Sequence, residues 1–118
     1  MSGMRRVLTQ AEIEHKIEDL CDLLGESIDE YRDILEAAVT AEMTYKMKQY
    51  QTVIGFANSE IKMTVVEKNA RADLHCSDEL AAHKLADARR ESAKEGLRSL
   101  HTRIDALRTL SANARAAT

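Results

Sequence analysis

The chain has 118 residues, enough for one domain with a modest core and too few for a catalytic domain plus a regulatory one. It has no proline and only four glycines, and its bulk is made of the strongest helix formers, which argues against a sheet. One Phe, three Tyr and no Trp leave Leu, Ile, Val and Ala to build narrow helix-to-helix seams, and the net charge of −3 is too acidic for a general polyanion binder.

That net charge hides an asymmetry. Residues 10 to 42 carry eleven acids against Lys16 and Arg32, whereas residues 89 to 118 carry seven bases against three acids. Such segregation signals either a polyanion site at the basic end or two ends that neutralise each other, within one chain or between chains. The opening Met1 to Leu8 lacks the continuous apolar segment of a signal peptide, and no later run approaches a membrane span. A cytoplasmic protein without membrane contact is expected, with Cys21 and Cys76 as small packing thiols in a reducing compartment.

In chain order, Thr9-Gln10-Ala11-Glu12 reads as a capping box that starts a first helix. Ile13, Ile17, Leu20 and Leu24 form its apolar stripe and Gly25 supplies a stop, which predicts a short acidic helix over 10–24. A second capping box, Ser27-Ile28-Asp29-Glu30, opens a helix over about 28–54 with Tyr31, Ile34, Leu35, Ala38, Ala41 and Tyr45 on one face. Gly55 and Asn58-Ser59-Glu60-Ile61-Lys62-Met63 break the period, so 55–63 is the turn of a helical hairpin.

Thr64-Val65-Val66-Glu67 is a third capping box, after which nothing stops a helix over about 65–112, roughly 70 Å if unbroken. Its first half places Ala70, Leu74, Ala81, Leu85 and Ala88 on one face as the partner of the second helix. Its second half carries a stripe of Leu97, Leu100, Ile104 and Leu107, which ~100° per residue puts roughly 120° around from the first, with Gly96 at the changeover. The first helix covers this second stripe if Gly25 is only a kink; a second subunit must cover it if Gly25 reverses the chain. The expected fold is therefore all-α, a long helical hairpin plus a short N-terminal helix in one domain, an elongated or coiled-coil-like bundle.

Candidate chemistry is sparse. His75, Glu79 and His83 share one helical face at zinc-ligand spacing, but no second helix with converging ligands is evident, and a solvated face is the better reading. Glu12 and His15 show the Glu-x-x-His spacing of di-iron bundles without the second copy or further inward carboxylates. No phosphate loop and no nucleophile-base group is present, so no catalytic residue, metal or cofactor is expected and the chain reads as a non-enzyme. Arg90, Lys94 and Arg98 form a four-residue ladder, joined by Arg108, that could follow phosphates of a single-stranded nucleic acid. Acids interrupt that ladder and no aromatic side chain accompanies it, so a salt-bridged flank is favoured.

The segment Leu97-Arg98-Ser99-Leu100-His101-Thr102-Arg103-Ile104-Asp105-Ala106-Leu107-Arg108, with Asn113-Ala114-Arg115 after it and Tyr31, Glu42-Met43 and Tyr45-Lys46 before it, resembles small all-helical accessory proteins of tailed bacteriophages. The resemblance covers most of residues 28 to 116 and implies a phage accessory protein of the early or recombination region, acting in a bacterial cytoplasm. It transfers no catalytic or binding residue. The reading that follows is a homo-oligomer that also binds a host or phage protein through Leu97, Leu100, Ile104 and Leu107, with nucleic-acid binding in recombination as the alternative.

Overall fold

The computed structural model describes residues 8–58 and 61–117. Among these the fold is all-α: α1 spans Gln10–Ala57, α2 Val65–His75 and α3 Ser77–Ala116. The Met1–Val7 opening and Ser59-Glu60 of the expected turn lie outside the described residues.

At two of the three predicted capping boxes the hydroxyl cap forms. The Glu12 amide donates to Thr9 Oγ1 at 3.2 Å, and the Glu67 amide donates to Thr64 Oγ1 at 3.1 Å. The Ser27 box does not, because the stop at Gly25 fails: α1 runs through Gly25 and Ser27, and no described glycine has a positive φ. The predicted helices over 10–24 and 28–54 are thus one helix. The reason is visible in the burial. From Gln10 the less exposed residues of α1 recur at three and four (Ile13, Ile17, Leu20, Leu24, Ser27, Tyr31, Ile34, Ala38, Ala41, Tyr45, Lys48, Thr52), and Gly25 lies off that seam. A seam of constant phase rewards an unbroken helix by more than the ~1 kcal/mol that an interior glycine costs.

The predicted helix over 65–112 divides at Cys76 (φ −102, ψ 25) instead of continuing. The helical hydrogen bonds close on one side of the break and resume on the other: Cys76 N–H donates to Ala72 O at 2.9 Å, and Leu80 N–H donates to Cys76 O at 2.8 Å. His75 ends α2, while Asp78 and Glu79 lie in the first turn of α3, where negative charge suits the helix end. Gly96 marks no changeover and lies within α3.

The chain packs as two compact units, the terminal unit of residues 8–30 with 94–117 and the middle unit of 31–93. In the terminal unit the start of α1 lies antiparallel to the end of α3, and Ile13, Leu100 and Ile104 are buried between them. In the middle unit Ala38 and Tyr45 of α1, Ala72 of α2 and Cys76 form the core.

Ideal Cβ atoms at Gly25 and Gly96 meet nothing within 4 Å. Gly25→Ala and Gly96→Ala should therefore each stabilise the protein by about 0.5–1 kcal/mol, read as a higher melting temperature by circular dichroism. A fall in melting temperature would mean that the chain turns at these glycines after all.

Candidate functional site

The first predicted site is the stripe of Leu97, Leu100, Ile104 and Leu107. In the terminal unit Leu100 is 8% and Ile104 2% exposed, with Leu97 and Leu107 half-buried. Leu20 of α1 shares a groove with Leu107 and Arg103, and Gln10 Nε2 donates to the buried Ser111 Oγ at 2.7 Å. The chain's own α1 thus covers the stripe, which is a structural seam and not a free partner surface. The physical reason is the continuity of α1 through Gly25, which brings Ile13, Ile17, Leu20 and Leu24 onto it.

The second predicted site is the basic ladder. Arg90 stands in the middle unit, half-buried, and Lys94, Arg98 and Arg108 in the terminal unit. Arg90 Nη2 meets Asp87 Oδ1 at 2.6 Å and Glu91 Oε1 at 3.2 Å; Arg98 meets Glu95 at 2.7 Å, and Arg108 approaches Asp105 at 3.9 Å. Each arginine has an acid three residues before it on the same helix, so the ladder alternates in sign. The Arg90 guanidinium holds the Asp87 carboxyl below its usual range by a direct hydrogen bond.

The third group, His75, Glu79 and His83, is divided by the bend at Cys76, and His75 is exposed. Glu79 and His83 turn toward α1, not toward solvent. Glu79 Oε1 accepts from Lys48 Nζ at 2.6 Å, and the Tyr45 and His83 rings stack with centroids 5.6 Å apart. The Lys48 hydrogen bond lowers the Glu79 carboxyl and raises the Lys48 ammonium from their ordinary values. Beside them the Tyr45 hydroxyl and Gln49 Nε2 both donate to Asp73 Oδ1, and Thr52 Oγ1 lies 3.7 Å from the buried Cys76 Sγ. His15 of the Glu-x-x-His pair faces Asp19 across 3.6 Å on the surface, and Cys21 is exposed rather than packed. Among the described residues, no group of three or more His, Cys, Asp or Glu is arranged to hold a metal ion.

The middle unit thus inverts the predicted face of the third helix. Ala70, Leu74, Ala81, Leu85 and Ala88 all lie exposed, Leu74 at 79% and Leu85 at 56%, while Cys76, Glu79, His83, Ala86 and Arg90 turn inward. This inward series counts on at three and four through Ala93 to Leu97 and Leu100, so α3 has no rotated second stripe. Polar members at seam positions concealed the phase. Glu79 pairs with Lys48, Arg90 with acids of its own helix, and His83 stacks on Tyr45, which offsets part of the cost of turning them inward, while Glu79 Oε2 and His83 Nδ1 stay buried without a hydrogen-bond partner.

What sequence reasoning missed is the other side of α1. In the middle unit Leu35, Val39, Met43, Met47, Tyr50 and Ile54 recur at four, four, four, three and four and are all exposed, Met47 at 59% and Tyr50 at 69%. Counting ~100° per residue places Val39 to Ile54 roughly opposite the Tyr31 to Thr52 seam, with Leu35 nearer its edge, beside Asp87 and Arg90 of α3. Val65 and Val66 at the start of α2 are exposed as well. The spacing was readable in the sequence, but only the burial of the opposite seam shows that these side chains are left over. Among the described residues no helix is long and apolar enough to cross a membrane. No protein-family model matches the chain, and neither a curated protein nor a solved structure shows significant similarity to it.

Proposed function

We propose that this chain is a non-enzymatic, phage-encoded helical protein that self-associates and binds a further protein of phage or host. The resemblance of its C-terminal helix to phage accessory proteins supports the origin. One observation carries the interaction: a helix of the middle unit is apolar on two sides, and among the described residues only one of them is covered. Contiguous exposed apolar surface of this kind marks partner sites, because leaving it in water forgoes about 25 cal/mol for each Å² that a partner could bury. Two methionines in the stripe suit it to pack against partners of differing shape.

The test is site-specific photo-crosslinking in the native host. A photoreactive phenylalanine analogue at Tyr50 is expected to capture discrete protein partners, and the same group at the exposed Ser92 to capture none of them. Equal capture at both positions, or none at Tyr50, would remove the basis of the proposal.

A further inference from the structure

Resting on that reading, we infer that the Leu35 to Ile54 stripe of α1 is occupied by the same stripe of a second copy, running antiparallel about a two-fold axis. The argument begins with the spacing of the side chains. An axis crossing α1 between Thr44 and Tyr45 sets Leu35 level with Ile54 of the second copy and Val39 level with Tyr50, and brings Met43 within one residue, ~1.5 Å, of the level of Met47. Each large side chain is thereby matched to another across the axis, over roughly 29 Å of helix. One patch used by both copies closes the assembly at two.

Charge chooses the direction. Glu42 and Lys46 border the stripe on one edge and are joined within the chain at 2.7 Å. About the same axis Glu42 of one copy comes within one residue, ~1.5 Å, of the level of Lys46 of the other, twice over. A parallel two-fold pairing would place the Glu42 and Lys46 edges of the two copies on opposite flanks of the seam and form no such contacts. Lys46 already holds the Glu42 carboxyl below its ordinary value, so the acid meets the second lysine ionised. Opposite charges brought together along the shared edge therefore favour the antiparallel orientation.

The experiment uses the full chain with Cys21→Ser, which removes the exposed thiol and leaves the buried Cys76 in place. Leu35→Cys and Ile54→Cys variants are treated with a short bis-maleimide, each alone and as a mixture. The mixture is expected to give a covalent dimer containing one of each, and neither variant alone should give one. Charge provides a second readout. Glu42→Lys should weaken dimerisation at least tenfold, and Glu42→Lys combined with Lys46→Glu should restore it. Crosslinking of each variant with itself would establish a parallel pair and overturn the inference. A dimer by light scattering that the mixture fails to link would overturn the choice of face. A wild-type monomer at high micromolar concentration would overturn the second copy as occupant, while capture of another protein at Tyr50 would leave the broader reading standing.

Discussion

Ile104→Asp should destabilise the terminal unit by roughly 3–5 kcal/mol and leave the middle unit folded. Ile104 is 2% exposed and shares its core with Ile13 and Leu100, so the aspartate loses the packing of a full side chain and places a carboxylate in an apolar core. A chain of this size has a total stability of about 5–15 kcal/mol, and the loss is therefore a large fraction of it. Hydrogen exchange should accelerate across residues 10–30 and 94–116, while amides around Ala38, Tyr45 and Ala72 stay protected by their own core. Leu110→Asp, on the same helix but at a 44% exposed position, should change stability by no more than about 0.5 kcal/mol. A variant at Ile104 that kept full helicity and merely changed in mass would return the Leu97 to Leu107 stripe to the role of an intermolecular surface.

Tyr45→Phe should cost the middle unit about 1.5–3 kcal/mol near neutral pH, because the lost hydroxyl donates to a carboxylate, and such bonds exceed neutral ones. Gln49 Nε2, at 2.8 Å, continues to donate to the same oxygen of Asp73, which keeps the carboxylate partly satisfied and holds the loss below a complete desolvation penalty. The pH dependence has a definite sign. The Tyr45 phenol is pushed up from 10.0 to about 12, first by its hydrogen bond to Asp73, then by burial, then by the Asp73 charge. The folded chain thus holds the phenolic proton more tightly than the unfolded chain does. The stabilisation is complete below pH 10 and is lost as the pH rises through 12. In denaturant titrations across that window the wild type should lose stability toward the level of the Phe variant, and the difference between the two should narrow. A constant difference from pH 8 to 12 would show that the hydroxyl stabilises the fold through packing alone.

The sequence by itself determined the class and several local features. With no proline and a bulk of helix formers, only helices were available, and Thr9 and Thr64 start their helices because a hydroxyl at that position satisfies a free amide whatever lies beyond it. The inward set Tyr31, Ile34, Ala38, Ala41 and Tyr45 was also legible, since period alone defines a face, although Leu35, grouped with them, lies exposed. Tertiary structure decided the rest, and the reason is the same in each case: a local signal was outweighed by a partner distant in sequence. Gly25 and Ser27 read as a stop and a start, yet the seam shared with the end of α3 keeps α1 helical through both. Leu74 and Leu85 read as core, yet the bend at Cys76 and the pairing of Lys48 with Glu79 and Tyr45 with His83 give the inside to polar residues. A polar side chain counts against a core position only until its partner is known. The partners of Glu79 and His83 lie more than thirty residues away on α1, where no local pattern could reveal them. The same cause hid the exposed stripe of α1, because which of two apolar faces remains uncovered depends on where the other helices pack.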